Sequence, residues 1–130
     1  MRLSVKTRSQ TEMIDVTRLV QQQVTESGME DGLCLVFVPH TTAAVTINES
    51  ADPAVSRDIL MVLNQIVPWK AAYRHREGNS PAHLKTSIMG SSETIAVEAG
   101  RLVLGTWQGI FFCEFDGPRS RKLDVRLIRS

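Results

Sequence analysis

The chain has 130 residues, 42% of them hydrophobic and 22% charged, with a formal net charge of +1. That suffices for one domain with a modest core and argues against a disordered chain, whose composition is poor in apolar residues and rich in charge. No long block of one sign is present, which argues against a general nucleic-acid-binding surface; Arg119, Arg121 and Lys122 form a local basic patch.

The opening segment RLSVKT alternates polar and apolar residues with the period of a half-buried strand. After a short turn, Asp15 is placed to cap a helix whose stripe is Val16, Leu19, Val20 and Val24 and whose stop is Gly28. LCLVFVP is a continuous apolar run of strand length and predicts a buried strand, with His40 just past its end. AAVTIN predicts the next strand. Asp52 and Pro53 then open a helix with Val55, Ile59, Val62, Leu63 and Ile66 on its apolar stripe, ended by Pro68. A loop follows until Ser80 and Pro81 repeat the cap-plus-proline signal, which predicts a short helix over about 82–89 stopped by Gly90. In the last third TIAV, RLVLG, TWQGIFFCEF and KLDVRLIR are strand-like, and their short turn-rich connections favour antiparallel hairpins. The pattern predicts an α+β fold: a single domain over 1–130, with a mixed, largely antiparallel sheet packed by two to three helices.

Cys34 and Cys113 both lie in apolar runs and are expected as small buried thiols rather than a disulfide. The N-terminal MRLSVKTRSQ has no apolar signal region, and no stretch approaches the roughly 18 apolar residues of a membrane span. A cytoplasmic location and no membrane partner are the expectation.

The chemistry-bearing residues concentrate around the three histidines, His40, His75 and His83. His75 and His83 are eight positions apart with Gly78-Asn79-Ser80-Pro81 between them, so they do not share a helical face and converge only if the chain folds back. Three converging imidazoles would form a metal site with an open position, as catalytic zinc uses; the alternative is three separate polar residues bonded to loop carbonyls. Glu49, Asp52, Glu77, Glu114 and Asp116 are the carboxylates available to orient an imidazole or act as base, Asp52 being explained equally well as a helix cap. Gly90-Ser91-Ser92 and the pair Arg119 and Arg121 offer donors to a phosphate, although no Walker or G-x-G-x-x-G pattern is present. With no G-x-S-x-G elbow, nucleophilic serine catalysis is set aside. Trp69 and Tyr73 flank the first histidine loop and are candidates to wall a pocket or to pack in the core.

Four stretches, PHTTAAVTINE at 39–49, YRHREGNSPAHLKTSIMGSS at 73–92, GRLVLGTWQGI at 100–110 and EFDGPRSRK at 114–122, together resemble the YjbQ family, also called uncharacterised protein family 0047. The resemblance runs over nearly the whole chain and is densest at Ser92, Gly100, Gly105-Thr106-Trp107-Gln108 and Ile110. It implies a homotrimer and a histidine metal site near subunit contacts, with His40, His75 and His83 as ligands of a divalent metal, zinc or else Mg²⁺. It also implies a secondary thiamine-phosphate synthase activity, a transfer that releases pyrophosphate. On that reading Glu49 and Asp52 serve as base or orient the ligands, and Asn48, Ser91, Ser92 and Arg119 receive a small phosphorylated or anionic molecule. Non-catalytic alternatives are a structural metal or a bound ligand at the subunit interface; a zinc-water hydrolase is the third. One departure from the family pattern is Pro81, where a small residue is commoner.

Overall fold

The computed structural model describes residues 1–130. In chain order it contains β1 (Arg2–Lys6), β2 (Glu12–Asp15), α1 (Thr17–Ser27), β3 (Gly32–Phe37), β4 (Ala43–Glu49), α2 (Pro53–Ile66), α3 (Ser80–Met89), β5 (Ser92–Glu98), β6 (Arg101–Leu102), β7 (Gln108–Glu114) and β8 (Ser120–Arg129). The strands form two sheets, β1-β8-β3-β5-β6 and β2-β7-β4. The α+β class with three helices holds, and every strand pairing is antiparallel.

Strand β7 sets the layering, because its side chains alternate between two cores. Ile110 and Phe112 join Val20 and Val24 of α1, Cys34 and Val36 of β3, and Leu123 and Val125 of β8 in the core between the sheets. Phe111, Cys113 and Phe115 point the other way and meet Leu63 of α2 and Ala82 of α3. The layers are therefore the five-stranded sheet, the main core, the three-stranded sheet, a second core and a pair of helices. Both cysteines are free and buried, and burial pushes their thiols up to about 11 for Cys34 and about 12 for Cys113.

Several elements differ from expectation for identifiable reasons. Strand β2 replaces the short turn, since TEMID carries no alternation to announce it and its pairing with β7 is tertiary. Asp15 ends that strand, yet its carboxylate still caps α1 from outside by accepting from the Thr17 backbone N–H at 2.9 Å and the Thr17 hydroxyl at 2.6 Å. Leu19 is exposed, and Gln23 takes the buried position on that face. The apolar run of β3 is buried on one face only: Cys34 and Val36 are inside, whereas Leu33 and Phe37 lie on the uncovered face of the five-stranded sheet. On α2 only Leu63 is buried, and Val62 and Ile66 are exposed.

Of the expected C-terminal hairpins, β5 and β6 form one, with β6 confined to Arg101–Leu102. Strands β7 and β8 do not pair, because both edges of β7 are taken by β2 and β4. The chain crosses instead from one sheet to the other through 115–119. A glycine is required there, since a Cβ on Gly117 would stand 2.3 Å from the Ser9 carbonyl oxygen and 2.7 Å from Glu114 Cγ. The crossing delivers Arg119 and Arg121 beside the end of β3.

Candidate functional site

Four segments meet at one end of the three-stranded sheet. His40, Thr41 and Thr42 follow β3; His75, Glu77 and Asn79 belong to the loop before α3; His83 is in the first turn of α3; and the crossing supplies Arg119 and runs into Arg121 at the start of β8. Together they line a cavity of about 270 Å³ that contains no apolar side chain. The fold-back at Gly78, which adopts a positive φ of 76°, brings the His75 and His83 rings edge to face at 5.1 Å between centroids.

The positive side of the cavity is rigidly built. Arg121 donates through Nε to Glu114 Oε1 at 2.8 Å and through Nη2 to Glu114 Oε2 and to the Thr42 hydroxyl at 2.9 Å, and both partners of this ion pair are buried. Thr7 donates to Glu114 at 2.7 Å and accepts from the Arg119 backbone N–H at 2.8 Å, so β1, β7 and the crossing are tied at one carboxylate. Burial alone pushes the Glu114 carboxyl up, but the hydrogen bonds from Arg121, the Asp116 backbone N–H and Thr7 outweigh it and hold the group below its ordinary 4.5. Arg119 donates through Nε and Nη2 to Asp116, whose carboxylate also accepts from Asn79 Nδ2 at 2.9 Å. Neither guanidinium has a hydrogen-bond partner at Nη1. The buried Asn79 Oδ1 has no hydrogen-bond partner, which leaves an acceptor at the wall of the cavity.

His40 is differently committed. Its Nε2 accepts the Lys122 backbone N–H at 2.9 Å, which places the ring proton on Nδ1. Burial, and then the charge of Arg121, lower its pKa from the ordinary 6.5. A folded-state value below the unfolded one means that the unfolded chain takes up the proton first, so the contribution of His40 to stability is lost as pH falls below 6.5. An NMR titration of the His40 ring is expected to give a midpoint below 6.5, with the Lys122 amide resonance moving at the same midpoint. A midpoint at or above 6.5 would contradict this wiring.

The implied metal centre fits this geometry poorly. No three of the chain's His, Cys, Asp and Glu side chains are gathered so that they could hold one metal ion. Coordination through His40 Nδ1 would move its proton to Nε2 and break the bond from Lys122. The lining instead offers guanidinium, imidazole and hydroxyl donors on several sides, with the Glu77 carboxylate and the Asn79 amide oxygen among them.

Of the residues expected at the site, His40, His75, His83 and Arg119 share the cavity, and Ser91 lines a second cavity beside it. Ser92 starts β5 and pairs with Phe37, in neither cavity. Asn48, Glu49 and Asp52 are at the far end of β4, a strand of seven residues or roughly 20 Å at 3.4 Å per step. There Asn48 accepts from the Glu49 N–H and Asp52 caps α2 through the Ala54 N–H, so within one chain these three lie apart from the histidines. Trp69 and Tyr73 line neither cavity; Tyr73 donates to the Pro68 carbonyl and closes its own loop. Thr41, Thr42 and Asn79 were not singled out from the sequence as site residues. The His-Thr-Thr run immediately after a strand was the available signal for the first two, whereas Asn79 is placed by the fold-back alone.

Comparison with known proteins gives a consistent result. A family model described as UPF0047 protein YjbQ-like matches residues 1–130. The UPF0047 protein YugU of Bacillus subtilis is 50% identical over 127 residues, covering 97% of this chain and 96% of that protein. The UPF0047 protein MJ1081 of Methanocaldococcus jannaschii is 48% identical over 124 residues, covering 95% and 90%. Among solved structures, an uncharacterized conserved YjbQ/UPF0047 protein from Clostridium acetobutylicum superposes with a TM-score of 0.97 at 55% identity, covering 98% of this chain and 99% of that one. A YbjQ-like protein of unknown function from Sulfolobus solfataricus gives 0.95 at 36% identity, covering 100% and 96%.

Proposed function

Because the chain belongs to the UPF0047 YjbQ-like family, whose names specify no reaction, the site itself has to carry the functional reading, and we propose an enzyme acting on a small phosphorylated molecule through the histidine–arginine cavity. The observation that supports this most is the convergence of three imidazoles and two arginines on one wholly polar cavity. Arg119 and Arg121 offer Nη1 donors to a phosphate or diphosphate, and His40 offers Nδ1–H. His75 and His83 are the groups suited to give or take a proton at the oxygen where a bond to phosphorus or carbon breaks.

Release of pyrophosphate is a reaction of this class. In thiamine-phosphate synthesis a thiazole nitrogen attacks as a pyrimidine diphosphate loses pyrophosphate, and a weak activity of that kind remains part of the proposal. The three-imidazole metal centre and the zinc-water hydrolase draw no support from the donor geometry. Calorimetric titration with pyrophosphate tests the reading: binding is expected, and its absence overturns the proposal.

Self-association as a trimer belongs to the same proposal, and with it a cytoplasmic location; no helix is long and apolar enough to cross a membrane. Met61, Val62 and Ile66 of α2 and Leu84 and Ile88 of α3 are exposed on helices linked by the bond from buried Lys85 to Asn64, and a second copy would cover them. Light scattering is expected to report three chain masses, and Ile66→Glu combined with Ile88→Glu to reduce this to one.

A further inference from the structure

We infer that the polar cavity and a shallower one beside it are two halves of a single binding site, the first taking a phosphate or diphosphate and the second a flat, apolar body attached to it. This rests on the anion reading above and extends it to the rest of the ligand.

The two cavities share His40 and Thr41 as lining residues, so they adjoin along that segment. Their characters differ. The polar half, at about 270 Å³, falls below the roughly 300–1,000 Å³ of small-molecule sites and offers nothing to an organic group. The second half, at about 620 Å³, is lined by Phe37, Val38 and Pro39, with Ser91 at its edge. A ligand spanning both would have the usual composition of such a site, an apolar wall with a few convergent polar groups.

The apolar wall is held firmly. Phe37 is the last residue of β3, and its neighbours across the sheet are Ser92 and Asp124, a hydroxyl and a carboxylate that supply no apolar cover. Its residue is 39% exposed, which leaves ring surface for a ligand to stack on. The next residue is fixed by the Val38 N–H donating to the Ser91 carbonyl at 2.8 Å, so the platform and the Ser91 edge move together. Beyond it, the His40 ring is anchored to the Lys122 N–H and stands at the boundary between the halves.

Phenyl phosphate and inorganic phosphate are the probes, titrated calorimetrically into the wild-type chain, Phe37→Ser and Phe37→Trp. The wild type is expected to bind phenyl phosphate about tenfold more tightly than inorganic phosphate, the factor given by burying roughly 55 Å² of apolar surface. Phe37→Ser is expected to bring that preference within about twofold, with affinity for inorganic phosphate and the oligomeric state unchanged. Phe37→Trp is expected to keep or raise it. Equal affinity of the wild type for both probes, or a preference unaffected by Phe37→Ser, overturns the two-part site while leaving the anion pocket standing. If neither probe binds, the anion reading falls and the two-part site falls with it.

Discussion

Glu114→Gln is expected to lower the stability of the fold by about 3–5 kcal/mol, the usual cost of removing one partner from a buried ion pair. The substitution leaves the Arg121 guanidinium buried beside a neutral amide and removes the acceptor that Thr7 and the Asp116 N–H also use. For a chain of this length that corresponds to a fall in Tm on the order of 10 °C or more, read by calorimetry. Replacing both partners, as in Glu114→Gln with Arg121→Met, is expected to cost less than the single change, because no uncompensated charge remains. The same carboxylate accounts for acid sensitivity. Its folded-state pKa is held below 4.5, so its contribution is complete above that value and is lost as pH falls through the lower folded-state value. In Glu114→Gln the part of the acid-induced loss that belongs to this group should disappear.

His83→Ala and Arg119→Ala are each expected to weaken pyrophosphate binding at least tenfold while leaving Tm within a few degrees of the wild type. A hydrogen bond to a charged group contributes about 1.5–3 kcal/mol, which is roughly 10- to 150-fold in affinity. Arg119 is half exposed and ion-paired at the surface with Asp116, so its removal costs the fold little. His83 makes no hydrogen bond within the chain that its loss would leave unpaired, and the cavity opens where it stood. Glu49→Gln supplies the contrast: at the far end of β4 it is expected to leave affinity unchanged. If the two cavity variants bind as the wild type does, the cavity is not the anion site.

The elements that the sequence announces locally are the ones it placed well. Asp52-Pro53 caps α2 through the Ala54 N–H, Gly28 closes α1 in a left-handed conformation, and Pro81 and Gly90 bracket α3. What it could not announce depends on partners distant in the chain. β2 exists because β7 has an edge to offer, and the apolar β3 has an open face because nothing in the chain covers the outer side of its sheet. The candidate site divides in the same way. The breaker between His75 and His83 allowed their approach without deciding it, whereas Glu49 and Asp52 are near His40 in sequence and far from it in space because an extended strand intervenes. Arg121 entered the sequence reading as part of a basic patch and a candidate phosphate donor; its buried pair with Glu114 depends on the crossing between sheets.

On the proposed reading the anion is held by protein side chains alone. The most direct test is calorimetric titration of pyrophosphate into protein stripped with EDTA, and into the same protein with zinc or Mg²⁺ restored. Saturable binding in EDTA, weakened at least tenfold in Arg119→Ala, is the predicted result. Binding that appears only when the metal is returned would contradict it and reinstate the histidines as a metal centre.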